Sequence, residues 1–134
     1  ARSVLWDFHR EWLHLDQLLN VNKDPKVFPM WNDELRTSML EETKRFVEQA
    51  FADGHGMLDE LLRGRATFVD GALARLYGVE ATTGTGWKAV ELPATGGRGG
   101  LLGQASFLAT HATSVDSSII HRGLMVRTQM LCLE

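Results

Sequence analysis

Apolar residues recur at three- and four-residue steps through most of the first eighty positions. That spacing restricts the chain to amphipathic helices packed on a shared core. Val4, Leu5, Phe8, Trp12, Leu15 and Leu19 form one such stripe and predict a helix over residues 3–19. Residues 20–29 break the pattern with Asn, Asp and two prolines, which marks a loop, and Phe28 and Trp31 flank Pro29 where they can pin that loop to the core. A second helix is predicted over residues 33–52. Asn32 is its candidate N-cap, and Asp33 and Glu34 complement the dipole in its first turn. Leu35, Met39, Phe46, Val47, Ala50 and Phe51 form its buried face, and Gly54 suits its left-handed end. A short helix follows over residues 57–62, closed by Gly64. Thr67 and Asp70 then read as a Thr-x-x-Asp helix start, with Val69, Leu73, Leu76 and Tyr77 as the core face and Gly78 as the stop.

The texture changes near residue 80. A Thr/Gly loop at residues 82–86 precedes an alternating stretch, residues 87–92, that fits a strand. A strand needs a partner, and no second strand is evident from periodicity. Another Gly-rich loop spans residues 93–100, followed by a helix over residues 101–111. Ser118 can cap a last helix over residues 119–131, with Ile120, Leu124 and Leu131 on one face. The expected fold is mainly α: an array of five or six helices, with one irregular insertion around residues 80–100 that can hold a strand. Helix-like sequence at both chain ends suggests a piece of a longer protein. The expected division is a helical module at residues 1–80, ending a larger domain, and a loop, strand and two helices at residues 81–134, starting the next.

Charge sorts the functional classes. The net charge is −3, which argues against general nucleic-acid binding, since that leaves a basic footprint. The acidity lies in residues 1–81, with 10 Lys+Arg against 14 Asp+Glu, and the remainder is slightly basic. An apolar share of 44% argues for a packed core and against disorder. No run approaches the ~20 apolar residues that span a bilayer. The one cysteine, Cys132, can pair only outside this chain.

No group of residues here forms a recognisable active-site motif. His9 and His14 are five apart, on different faces of a helix, so they do not suit one metal. His111 and His121 can approach across a loop, but a metal would need a third ligand such as Asp116; the simpler reading is two half-exposed helix-end histidines. The pairs Asp33/Glu34, Glu41/Glu42 and Asp59/Glu60 read as solvated faces. The loop at residues 95–100 can present backbone N–H groups to an anion, with Arg98 within it, or can simply let two layers approach closely. Ser106 lacks the frame of a nucleophile elbow and reads as a packing residue. Gly123 inside a helix suggests close packing or room for a neighbour, and Arg122 beside it a fork that bridges carbonyls or a carboxylate within the fold or, alternatively, holds a ligand anion. Of the four tryptophans, Trp6, Trp12 and Trp31 read as core and Trp87 as exposed.

Certain residues occur in one ordered series. It begins with Phe8-x-x-x-Trp12-Leu13, Asp24-Pro25-x-x-Phe28-Pro29 and Leu35-x-x-Ser38-Met39-x-x-Glu42-Thr43-x-x-Phe46. It continues with Glu60-Leu61-Leu62 and Thr67-Phe68-Val69-Asp70-x-x-Leu73-Ala74-x-x-Tyr77-Gly78. It ends with Arg98-Gly99-Gly100-Leu101-Leu102-Gly103-Gln104-Ala105-Ser106 and Arg122-Gly123. The series resembles the large secreted proteins of planctomycetes and myxobacteria built from consecutive domains of unknown function. Many of those carry a c-type cytochrome domain elsewhere. The resemblance implies an exported parent (periplasmic, cell-surface or extracellular), flanking domains as partners, and any haem c outside this chain, which has no Cys-x-x-Cys-His motif. Members commonly read Thr-Ser-Pro before the last helix, where this chain has Ser117-Ser118-Ile119. The resemblance supplies no catalytic residues.

Three functions compete. The first is a structural or binding module of a larger secreted, redox-linked protein, with no cofactor or metal of its own. The second is an enzyme domain acting on a polymer, with a ligand or anion pocket beside the last two helices formed by Arg98, Gln104, Ser106, His111, His121 and Arg122. The third is a small intracellular helical regulator. Convergence of those six side chains would favour the second.

Overall fold

The computed structural model describes residues 2–52, 58–80, 84 and 86–133. Gly54, His55 and most of the loop at residues 82–86 lie outside the described residues. The fold is mainly helical with a small two-stranded antiparallel sheet. Its axis is α2 (Asp33–Ala52), twenty residues long. Asn32 caps it, its side-chain oxygen accepting from Leu35 N–H at 2.8 Å. The buried face carries Leu35, Ser38, Met39, Glu42, Thr43, Phe46, Val47 and Ala50.

Two core clusters form along that face. Phe46, Val47 and Ala50 join Leu13, Leu15, Leu61, Leu101, Phe107 and Met125 in one. Leu35 and Met39 join Leu18, Val69, Leu73, Ala74 and Ala105 in the other. Each cluster therefore draws on residues from before and after position 80. Phe51, assigned to this face by spacing, lies on the exposed side instead.

The first helix is shorter than its periodicity implies. α1 (Arg2–Trp12) stops, His14 turns left-handed at φ 59°, and a 3₁₀ turn runs from Leu15 to Asn20. The break rotates the apolar positions. Leu13, Leu15 and Leu18 become buried and Leu19 stays exposed, while on α1 itself His9 is buried and Val4 and Phe8 are exposed.

The strand finds its partner where a helix start was expected. β1 (Ala66–Val69) pairs antiparallel with β2 (Lys88–Glu91), Thr67 opposite Val90 and Val69 opposite Lys88. Thr67 therefore lies in a strand, and Asp70 alone caps α4 (Gly71–Tyr77), accepting from Ala72 N–H and Leu73 N–H at 3.0 and 2.9 Å. Gly78 ends α4 in the left-handed region.

The short helix α3 (Leu58–Arg63) receives the Gly-rich loop. Gly100 N–H donates to the Gly64 carbonyl at 2.7 Å. Gly100 has φ +60°, and a Cβ there would sit 2.3 Å from the Leu62 carbonyl carbon. Only glycine tolerates both the conformation and the approach. The helix expected over residues 101–111 is two, α5 (Gly100–Gly103) and α6 (Ala105–Thr110), parted at the extended Gln104.

The last helix, α7 (Ile119–Met125), is capped by Ser118 and continues into a π-helical turn, Val126–Met130. Its expected inner face is outside: Ile120 is 81% exposed, and Leu124 and Leu131 are exposed too. Met125 is the α7 residue that enters the core. Gly123 has open space where a Cβ would be, so it serves no close packing here. No helix among the described residues is long and apolar enough to cross a membrane.

Candidate functional site

Two adjoining features carry polar chemistry: a buried cluster behind α2 and an open groove beside it. The cluster centres on Glu42, which is fully buried. Tyr77 O–H donates to its two oxygens (2.9 and 2.7 Å), and Thr67 O–H donates to Oε1 at 2.7 Å. The chain of bonds runs on. Gln104 Nε2–H donates to Thr67 Oγ1 at 3.3 Å, and Gln104 Oε1 accepts from Thr43 O–H at 2.6 Å. Ser106 Oγ lies 2.6 Å from Thr43 Oγ1. Ala105 N–H closes on the Tyr77 oxygen at 3.1 Å. Asp70, nearby, accepts from Ser38 O–H. A cavity of about 10 Å³ touches Glu42, Thr67, Tyr77 and Gln104, room for about one water.

Burial raises the Glu42 carboxyl from 4.5 to about 7, against the hydrogen bonds from Tyr77 and Thr67 and the positive charge of Arg98, while Asp70 adds to the rise. Burial and the Glu42 charge push the Tyr77 phenol well up. Adjacency to Glu41 predicts a solvated Glu42, and the structure buries it instead. Its neighbour Glu41 is half-buried, 2.8 Å from Arg45. The signal was present all the same, because Glu42 falls three residues after Met39 and four before Phe46, on the apolar stripe.

The groove has a volume of about 630 Å³, within the ~300–1,000 Å³ of small-molecule sites. Val27, Phe28, Pro29, Met30 and Trp31 form one wall; Leu35 and Met39 of α2, Leu76 of α4, and Ala105, Leu108 and Ala109 of α6 form the rest. Lys23, Arg98, Arg122 and Asp116 supply its charges. The loop wall is tied down. Asp24 N–H donates to the Ser114 carbonyl at 2.9 Å, Lys23 Nζ to the Thr113 carbonyl at 2.7 Å, and Trp31 Nε1–H to the Val21 carbonyl at 3.3 Å. Arg98 belongs to both features. Its guanidinium lies 5.0 Å from the Tyr77 ring centre while it lines the groove.

The structure divides the six residues proposed from sequence. Arg98 and Arg122 line the groove together. Gln104 and Ser106 are buried in the hydrogen-bond chain with Thr43. His111 is half-buried, its Nε2–H donating to the Leu13 carbonyl at 3.0 Å and its ring 4.7 Å from that of Phe107. Burial lowers its pKa, with His14, His121 and Arg122 adding smaller effects. His121 is exposed. His9, passed over as a site residue, is buried, its Nδ1–H on the Leu5 carbonyl at 2.8 Å, and burial lowers its pKa too. Among the described residues no three His, Cys, Asp or Glu side chains group as metal ligands. Trp87 is half-buried rather than exposed, with the Arg45 guanidinium 4.8 Å from its ring centre. Cys132 is exposed.

A family model described as protein of unknown function (DUF1592) matches residues 1–79, and one described as protein of unknown function (DUF1588) matches residues 98–134. Among the curated proteins and the solved structures, none matches this chain.

Proposed function

We propose, from the premise that this chain belongs to the DUF1592 family and runs on into a DUF1588 match, that it is a binding module of a larger multidomain protein. The observation that carries this reading is the groove: about 630 Å³, walled by apolar side chains, with Arg98 and Arg122 among its lining residues. A preformed apolar concavity with a few charged groups is the usual form of a ligand site. The polar residues suited to catalysis are engaged elsewhere, Ser106 and Gln104 with Thr43 and His111 with a backbone carbonyl.

The wider setting rests on the resemblance set out above. In this proposal the parent is exported, neighbouring domains are the immediate partners, and any haem c resides on another domain. Residues 1–80 and 81–134 are then the end of one domain and the start of the next. Cys132, being exposed, is available to a thiol outside the chain. The net charge of −3 argues against nucleic acid as a partner.

Amide NMR shifts during titration with a set of neutral and charged aromatic and aliphatic fragments test the reading. Shifts concentrated at Trp31, Met39, Leu76 and Leu108 are expected. Fragments that leave these residues unmoved would defeat it.

A further inference from the structure

Five arginines are half-buried among the described residues: Arg10, Arg36, Arg45, Arg98 and Arg122. Three have carboxylate partners. Arg10 pairs with Asp7 and Asp16, Arg36 with Asp33, and Arg45 with Glu41. Arg98 and Arg122 have none among the described residues, and these two line the groove. Arg98 feels the charge of Glu42 and lies over the Tyr77 ring, but neither arginine closes an ion pair, so a half-buried guanidinium here gives up hydration without a carboxylate in contact. That cost is offset when an anion arrives.

The remaining charges of the groove do not fill the role. Asp116 also lines it but makes no ion pair with either arginine, its carboxylate accepting instead from Ser117 N–H at 2.7 Å. Lys23 is committed to the Thr113 carbonyl. The groove is therefore positive in balance and apolar in its walls. Resting on the binding-module reading, we propose that the groove binds a small amphipathic monocarboxylate. Its carboxylate is held by the Arg98 and Arg122 guanidinium groups, and its apolar body by Phe28, Trp31, Met39 and Leu76.

The chemistry narrows the class. A guanidinium fork matches a carboxylate with two parallel N–H···O bonds. Phosphate fits the same fork, but a second negative charge would be desolvated against apolar walls. A neutral ligand would leave both cations unpaired. A cationic one would meet two like charges. The volume suits an apolar body of drug-like size rather than a macromolecular face.

Isothermal titration of the full chain with decanoate, decan-1-ol and decyl phosphate at neutral pH tests this. Decanoate is expected to bind one to one, at least tenfold tighter than either of the others, and to weaken as salt is raised. In the double variant Arg98→Gln/Arg122→Gln the decanoate affinity should fall at least tenfold, towards that of decanol. Should that variant fail to fold, Arg122→Gln alone reads the same difference. Decanol binding as well as decanoate, or decyl phosphate binding better, would overturn the monocarboxylate while leaving a binding groove. Silence of all three probes would overturn the groove as a site altogether.

Discussion

The cluster around Glu42 and the groove beside it are neighbours, yet they treat polar groups in opposite ways. Behind α2 every polar side chain from Glu42 to Ser106 has a protein partner. In the groove, Arg98 and Arg122 have no carboxylate partner among the described residues. Buried polar groups are tolerated when mutually satisfied, so the first arrangement joins α2, β1, α4 and α6 into one scaffold. Half-buried cations without a carboxylate in contact carry a desolvation cost that the fold leaves uncompensated, and they remain open to a ligand. The difference separates residues that hold the structure from residues free to bind.

The comparison breaks most visibly at Glu42. Glu42→Ala removes the acceptor of Tyr77 and Thr67 and leaves a hole, and should cost about 4 kcal/mol by urea denaturation. A loss under ~1 kcal/mol would mean the cluster is not a scaffold. Gly100→Ala, on the same cavity wall, forces a left-handed alanine into the Leu62 backbone and should cost about 3 kcal/mol.

The pH profile sharpens the contrast next. Glu42 ionises near 7 when folded against 4.5 as a free group. Between those values the folded state holds the extra proton, so stability falls as pH rises and levels off above about 7. The Glu42 contribution to that decline should be about 3 kcal/mol, and Glu42→Gln should remove it. His9 and His111 act in the opposite sense over an overlapping range. With their folded pKa lowered, the unfolded state takes up protons first, and stability also drops as pH falls through 6.5. Glu42→Gln should leave the histidine drop uncovered, and the difference in Tm between the two proteins across pH 4 to 9 isolates the Glu42 contribution.

The smallest effects belong on α7, where Arg122 lines the groove. Gly123→Ala, into open space on α7, should stabilise by about 1 kcal/mol through helix propensity alone. Arg122→Gln should change stability by less than about 0.5 kcal/mol. A loss of ~2 kcal/mol there would show that Arg122 belongs to the scaffold and erase the distinction.

Local spacing and capping chemistry determined much of this protein. α2 with its Asn32 cap, Gly78 at the end of α4, the Ser118 cap of α7 and a β-containing insertion near residues 80–100 all follow from residues within a few positions of one another. The place of Glu42 on a buried stripe was legible too, once the stripe is given priority over the usual solvation of acids. Tertiary structure alone decided the rest. β1 exists because Lys88–Glu91 lies across from it, overriding a Thr-x-x-Asp signal that Asp70 fulfils by itself. The stripe of α1 turns at His14 so that Leu13, Leu15 and Leu18 meet the core, and the apolar face of α7 stays outside because no described element covers it. The groove joins Lys23–Trp31 to Arg98 and Arg122 from distant parts of the chain. Periodicity states which residues share a face, because i to i+4 geometry is local. Whether that face is buried, and which charges end without partners, depends on what packs against it.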